Sequence, residues 1–238
     1  MSGPTSLVID TETTGMDPAE DQVIELGYVG TDLERVLFMD SHLVCPTVPI
    51  KPEASAVHHL VESDLESAGT LADAIYAMRE ETAGCEPPVA YVAHNAPFDR
   101  GFLPMLTDKP WIDTCRAAKH YLPEAPSHSN QALRYRLKLD VPRDIGAHRA
   151  EGDCLATAAL LRYLLAGPAK ADLERLGVAG FAAHVDSPML LAMCTFGKHA
   201  GKPWAEVPRD YLQWILRQPD FDPDVRHTAK RFFYGIDP

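Results

Sequence analysis

Two acidic residues, Asp10 and Glu12, lie at the end of an apolar stretch, residues 6–11, that has the composition of a buried β-strand. Side chains alternate between the two faces of a strand, so residues two positions apart point to the same face. Two carboxylates on one face of a buried strand are costly unless a cation neutralises them. Because Mg²⁺ and Mn²⁺ prefer such oxygen ligands, the pair predicts a divalent-metal site; an exposed acidic turn is the alternative.

The order of apolar segments predicts a mixed α/β sheet. Residues 6–11, 23–30 and 33–44 have strand composition, and the turn residues before the third favour an antiparallel meander. Residues 89–93 follow two prolines and form an apolar run typical of a buried strand. The other predicted elements are a short strand at 111–113 and helices at 53–60, 71–82, 97–106, 129–137 and 148–165. Such a sheet combines antiparallel and parallel neighbours.

Gly167 and Pro168 end the last of these helices and indicate a domain boundary. We predict a principal domain over residues 1–167, a connecting helical segment over 168–188 and a small C-terminal module over 189–238. The module is short for an independent hydrophobic core. Two glycines in it frame a basic turn that contains Lys198 and Lys202.

The composition is that of a soluble globular protein, with 46% hydrophobic and 24% charged residues in a chain of 238. A net charge of −12 argues against a protein that coats nucleic acid through a broadly basic surface. The charge is uneven, because residues 189–238 carry seven Lys/Arg against six Asp/Glu. A polyanionic partner would therefore need a local basic surface, and Lys198 and Lys202 are candidates for contacts with its phosphates.

The five cysteines are far apart and form no Cys-x-x-Cys pair, which argues against a zinc site or a disulfide framework. This pattern favours a reducing, cytoplasmic compartment. The first apolar run is too short for a signal peptide. No stretch approaches the roughly 20 apolar residues that cross a bilayer, so we expect no membrane partner.

Two further segments place acids near the start of predicted helices. Asp99 follows the buried strand 89–93, at a position where an Asp often only complements the helix dipole. His148 and Asp153 are five residues apart, which on a regular helix separates them by roughly 140° around the axis. We therefore expect Asp153 on the inward face of the helix and His148 on the preceding loop, as a general base or as an ordinary surface histidine.

Together these residues resemble the motifs of the DEDDh exonucleases of the DnaQ-like superfamily. Asp10 and Glu12 match the first motif, Asp99 the second, and His148 with Asp153 the third, in the expected order. The similarity extends to the C-terminal Phe-Gly-Lys turn, which simpler members such as oligoribonuclease lack, and it points to the exodeoxyribonuclease X branch. The resemblance implies a ribonuclease H-like α/β fold, with a mixed five-stranded sheet flanked by helices and a small C-terminal appendage.

The resemblance also implies the chemistry, which is the release of 5′-mononucleotides from 3′ ends with two Mg²⁺ or Mn²⁺ ions as cofactors. Asp10 would bridge both ions. Glu12 and Asp153 would complete the first ion site and Asp99 the second, while His148 would take a proton from the attacking water. The expected partner is DNA with a single-stranded or frayed 3′ end, in repair or replication alongside other proteins.

Residues around these motifs are candidates for nucleotide binding, with core packing as the alternative for each. Backbone N–H groups after the first motif could hold the terminal nucleotide, with Met16 against its base and Phe98 stacking on it. The complete set of candidate substrate-binding residues is Thr13, Thr14, Gly15, Met16, His58, Asn95, Phe98, Lys198 and Lys202.

Two other functions compete with a DNA exonuclease. An exoribonuclease that trims RNA 3′ ends would use the same acids. The sequence does not show whether the site selects for or against the 2′-hydroxyl group of the sugar. A catalytically silent nucleic-acid-binding module is the other alternative. Such proteins typically lack one or more of the acids, whereas all four are present here.

Overall fold

Residues 6–142 and 149–235 are described by the computed structural model, in which the chain divides into two units, Met1–Asp186 and Ser187–Pro238. The five strands of the first unit are β1 Ser6–Thr13, β2 Val23–Thr31, β3 Val36–Leu43, β4 Ala90–Ala93 and β5 Trp111–Asp113. They form one sheet in the order β3-β2-β1-β4-β5. The first three strands pair antiparallel, and β4 and β5 join in parallel. The predicted meander and the mixed five-stranded sheet are therefore confirmed.

Helices cover both faces of this sheet. Those of the first unit are α1 Pro52–His58, α2 Glu62–Leu65, α3 Leu71–Ala83, α4 Ala96–Phe102, α5 Thr114–Tyr121, α6 Asn130–Arg136, α7 Ala150–Ala166 and α8 Lys170–Asp186. Those of the second unit are α9 Arg209–Arg217 and α10 Pro223–Tyr234, preceded by short 3-10 turns at Gly197–His199 and Trp204–Glu206.

Alternate residues of the central strand β1 enter different hydrophobic cores. Val8 packs in the core that contains Leu160 and other residues of α7. Leu7 and Ile9 pack in the core that contains Met78 of α3. Because side chains alternate along a strand, Asp10 and Glu12 point to the same face as Val8, the face covered by α7. The position of the predicted acidic pair therefore follows from the packing of this strand.

The helix α7 is the main cover of that face. Nearly every residue from Cys154 to Leu161 is completely or almost completely buried. Replacing a leucine in such a position, for example Leu160, by alanine costs about 2–5 kcal/mol. This packing fixes α7 on the sheet and with it the first helical turn, which carries Asp153.

The second unit has a small apolar core of its own, assembled from the turn region and the two terminal helices. Its buried members are Cys194, Trp204, Val207, Leu212, Ile215, Val225 and Ala229. The helix α10 begins with a side-chain cap, because the Asp222 carboxylate accepts hydrogen bonds from the N–H groups of Asp224 and Val225. Across the described residues of both units, we find no helix with the length and apolarity that crossing a membrane requires.

Candidate active site

Three of the predicted acidic residues converge at one point of the sheet. Asp10 and Glu12 extend from β1, and Asp153 lies in the first turn of α7. One carboxylate oxygen of each can be chosen so that all three lie within 4.8 Å of one another. Oxygen ligands at this spacing suit a hard divalent cation such as Mg²⁺ or Mn²⁺.

A glycine allows α7 to approach the sheet beside these acids. Gly27 of β2 is the register partner of Asp10. A Cβ atom at Gly27 would lie 2.5 Å from the carbonyl carbon of Ala150, the first residue of α7. Only a residue without a side chain leaves room for this contact, so Gly27 helps to place Asp153, one turn into the helix, next to Asp10.

Asp99 is bound directly to the strand that carries the first two acids. Its side chain is buried in the first turn of α4, with only 3% of the residue exposed. Its Oδ1 accepts hydrogen bonds from the backbone N–H of Thr11 at 3.0 Å and from the Thr11 hydroxyl at 2.9 Å. Asn95, in the left-handed conformation with φ 76°, makes the turn from β4 into α4. Asp99 is thus fixed beside Thr11, which lies between Asp10 and Glu12 in the sequence.

Burial and mutual repulsion raise the pKa of the clustered carboxyl groups. Burial is the largest cause for Asp10, whose pKa lies well above its ordinary value, followed by the charges of Asp99 and Asp153. Burial likewise raises the pKa of Glu12 to about 8, and it raises the pKa of Asp99 to about 7 against the hydrogen bonds from Thr11. The folded protein therefore retains protons here at neutral pH unless cations replace them.

An ion pair that the sequence did not reveal supports the same site. Glu25 of β2 is the register partner of Glu12, and its side chain is only 1% exposed. Its carboxylate accepts two hydrogen bonds from Arg149, from Nε at 2.9 Å and from Nη2 at 3.0 Å. The Ser41 hydroxyl donates a third at 2.5 Å. The sequence feature that could have revealed this ion pair is Glu25 itself, an acidic residue inside the otherwise mainly apolar strand β2.

The helix α6 supplies further contacts that the sequence did not reveal. Gln131 Nε2 donates to Oδ1 of Asp153 at 2.7 Å. The Asn130 side chain donates to the backbone carbonyl of Asp153 and to the hydroxyl of Thr157, each at 3.0 Å. These two adjacent amides therefore hold both the side chain and the backbone of Asp153.

A cavity of about 580 Å³ opens next to Glu12. Six of the candidate nucleotide-binding residues line it, namely Thr13, Gly15, Met16, His58, Asn95 and Phe98. The Met16 residue is 77% exposed at its rim. His58 Nδ1 accepts the N–H of Leu60 at 3.0 Å, so the neutral ring carries its proton on Nε2, and burial lowers the pKa of the ring.

Thr14 lies outside the cavity lining and has a structural role. Its N–H donates to the carbonyl of Gln22 at 2.8 Å, and its hydroxyl contacts Asp21 at 3.3 Å. The Asp21 carboxylate also pairs with Lys51 at 2.7 Å, and a Cβ at Gly15 would lie 2.5 Å from it. These contacts fix the loop that follows the first motif, so Thr14 supports the cavity wall.

Three further candidate residues are His148, Lys198 and Lys202. His148 falls outside the described residues, which resume at Arg149 in an extended conformation before α7. Lys198 and Lys202 belong to the second unit, where both are exposed.

Comparison with known proteins agrees with the fold. Residues 7–161 match the exonuclease family RNase_T. Exodeoxyribonuclease 10 of Escherichia coli (strain K12) is 34% identical over 236 residues, which cover 94% of this chain and 97% of that protein. The DNA polymerase III subunit epsilon of Treponema pallidum (strain Nichols) is 30% identical over 173 residues, covering 68% of this chain and 76% of that protein.

A solved structure supports the same assignment. Exonuclease X, in complex with 5′-overhanging duplex DNA, is similar with a TM-score of 0.62 and 31% identity over 76% of this chain and 99% of that one. The chain therefore belongs to the RNase_T exonuclease family, the DnaQ-like DEDDh exonucleases. It is a 3′→5′ exonuclease of a family that uses divalent metal ions, as the sequence motifs predicted.

Proposed function

We propose that this exonuclease removes nucleotides from single-stranded or frayed 3′ ends of DNA and releases 5′-mononucleotides. The observation that carries the proposal is the convergence of Asp10, Glu12 and Asp153 within 4.8 Å, beside a cavity of about 580 Å³. The names of the related proteins, an exodeoxyribonuclease and a DNA polymerase subunit, favour DNA over RNA.

The four carboxylates fit two divalent cations. Burial is the largest cause of the raised pKa values of Asp10, Glu12 and Asp99, and bound cations would favour the ionised form of these groups. Asp10 would contact both ions, Glu12 and Asp153 would complete the first site, and Asp99 would complete the second. The chemistry that Mg²⁺ or Mn²⁺ would supply there is activation of the attacking water and stabilisation of the leaving 3′ oxygen.

His148 would accept the proton of the attacking water, which matches the usual role of a loop histidine beside a rigid acid. The residue that follows it, Arg149, is anchored to Glu25 by two hydrogen bonds. This anchor fixes the backbone immediately after His148.

The cavity would hold the terminal nucleotide. Phe98 packs against Phe102 with ring centroids 5.0 Å apart, so its ring has a defined orientation on which a base could stack. Met16 lies exposed at the rim and could cover the opposite side of the base. His58 Nε2–H and the Asn95 side chain would offer hydrogen-bond donors to the sugar and phosphate.

Lys198 and Lys202 would contact phosphates of the DNA, because both are exposed cations in a chain of net charge −12. We place this activity in the cytoplasm, in DNA repair or replication alongside other proteins. The five unpaired cysteines support that location.

The experiment that tests the proposal compares 5′-labelled DNA and RNA oligonucleotides of one sequence with the full chain in Mg²⁺. We expect stepwise shortening of DNA from its 3′ end and no shortening by Asp10→Ala protein. Preferential shortening of RNA would establish the exoribonuclease instead. Binding of DNA without release of mononucleotides in either Mg²⁺ or Mn²⁺ would establish the silent binding module.

A further inference from the structure

The second unit carries an exposed aromatic surface that the proposed chemistry does not use. Tyr211 and Trp214, three residues apart on α9, have stacked rings with centroids 5.2 Å apart. Phe221 contacts Trp214 edge-on, with centroids 5.5 Å apart. Trp214 nevertheless remains 45% exposed. A flat ring is thus held in place by two aromatic neighbours and still presents its surface to solvent.

The basic turn packs against the same aromatic pair. Lys198 Nζ lies 5.3 Å from the ring centroid of Tyr211. Gly197 has φ 63°, and a side chain there would collide with the Tyr211 hydroxyl. Glycine is therefore required both by the backbone conformation and by the space available. The lysine and the aromatic rings form one continuous surface.

Backbone hydrogen bonds and a buried ring fix the shape of this turn. The N–H of Cys194 donates to the carbonyl of Lys202 at 2.8 Å, and that of Gly201 donates to the carbonyl of Cys194 at 2.7 Å. His199, buried between the two lysines, contacts Tyr211 edge-on with ring centroids 4.6 Å apart. The two lysines are consequently presented from a pre-organised loop, which lowers the entropic cost of binding.

The charge of the surface suits a polyanion. Lys198 and Lys202 are exposed, and neither forms an ion pair with a carboxylate of the described residues. Residues 187–235 contain seven Lys/Arg against five Asp/Glu, although the whole chain carries a net charge of −12. Exposed aromatic rings next to unpaired cations are the combination by which proteins bind single-stranded nucleic acid, through stacked bases and phosphate contacts.

We propose that Lys198, Lys202, Tyr211 and Trp214 form a single-strand-binding surface on the second unit. A base stacks on the open face of Trp214, and the two lysines contact the adjoining phosphates. The choice of DNA as the bound strand rests on the proposed function. The proposed stacking and phosphate contacts would serve any single-stranded nucleic acid and do not depend on that function. The surface would retain a strand on the enzyme without taking part in hydrolysis.

The test measures binding of a fluorescent oligodeoxythymidylate of about 20 nucleotides, longer than the usual single-strand site size, to the full chain in EDTA. Without metal there is no hydrolysis, so the result is independent of whether the proposed function is correct. Fluorescence anisotropy gives Kd, and tryptophan emission reports contact with the exposed Trp214. Trp204 is only 1% exposed, and Trp111 packs against Tyr91 and donates from Nε1 to the carbonyl of Leu106.

We expect Trp214→Ala to raise Kd about 5- to 100-fold. Lys198→Glu should raise Kd and reduce the slope of log Kd against log salt concentration by about 1. The matched controls are Tyr234→Ala and Lys230→Glu, exposed residues of α10 in the same unit, which should bind as the wild type does.

The Trp214→Phe variant controls for misfolding of Trp214→Ala, because it keeps an aromatic ring at this position. This variant should keep most of the affinity and lose the quenching of tryptophan emission by the oligonucleotide. Wild-type Kd values for both Trp214→Ala and Lys198→Glu would overturn the proposal. Quenching that persists in Trp214→Phe would also overturn it, because the strand would then contact another part of the chain.

Discussion

Gln131 donates a hydrogen bond from Nε2 to Oδ1 of Asp153 at 2.7 Å, and it accepts one from Nη1 of the buried Arg134 at 3.2 Å. Arg134 in turn donates from Nη2 to the carbonyl of Pro142 at 2.9 Å. The carboxylate that faces Asp10 is therefore oriented by a chain of side chains from α6. Partners of this kind fix the geometry of metal ligands although they do not touch the metal.

Replacing Gln131 by Met should weaken the response of the enzyme to Mg²⁺. The methionine fills the same space but leaves Asp153 free to rotate, so we expect about a 10- to 100-fold loss in metal affinity or kcat/KM. The measurement is initial rate against Mg²⁺ concentration, where added metal should restore part of the rate. Gln213→Met, at an exposed position of α9, is the control. A wild-type Mg²⁺ dependence in Gln131→Met would show that Asp153 needs no such partner.

Gly27→Ala should damage both stability and activity. The added methyl group would meet the backbone of Ala150 at 2.5 Å, and α7 must shift to accommodate it. We expect a loss of about 1–3 kcal/mol in the free energy of unfolding, with a larger proportional loss of kcat. Gly84→Ala is the matched control, because nothing lies within 4 Å of a Cβ built there and its φ is −83°. Equal effects of the two substitutions in urea unfolding would contradict this role of Gly27.

Arg149→Met should leave the buried carboxylate of Glu25 without its cation. Removing one partner of a buried ion pair is strongly destabilising. Because the Arg149 side chain is 46% exposed, we expect about 2–4 kcal/mol. The double variant Arg149→Met with Glu25→Gln should recover part of this loss, since no unpaired charge remains. Arg162→Met is the control, because it removes a half-buried arginine of α7 that donates to a backbone carbonyl, that of Glu34 at 3.1 Å, and forms no ion pair with a carboxylate of the described residues. Chemical denaturation of the wild type, Arg149→Met, the double variant and Arg162→Met gives the free energy of unfolding of each.

The metal-free protein should lose stability as the pH rises. The raised pKa values of Glu12, about 8, and Asp99, about 7, mean that the folded state keeps protons that the unfolded chain has already released. Stability therefore falls between about pH 5 and about pH 8 in EDTA. Saturating Mg²⁺ should reduce this slope because it favours the ionised carboxylates. Thermal unfolding across this range is the measurement, and Asp10→Asn should flatten the dependence. A melting temperature that rises with pH in EDTA would contradict the predicted loss of stability.

Strand periodicity was sufficient to predict the first part of the site. Asp10 and Glu12 are two residues apart on β1, and their common face depends only on local backbone geometry. Asp99 and Asp153 were assigned by resemblance to a family, and the contact of Asp99 with Thr11 spans 88 residues. His148 was assigned in the same way and stays a prediction, because it lies outside the described residues.

The sequence by itself determined the succession of strands along the chain, the meander, the acidic pair and the motif set that defines the family, because each depends on local periodicity or on residue identity. Only the tertiary structure decided which side chains support that site. The Arg149–Glu25 pair joins residues 124 positions apart, and the approach of Ala150 to Gly27 depends on how α7 lies on the sheet. Contacts of this kind arise from the packing of complete elements, and no local pattern in the chain encodes them.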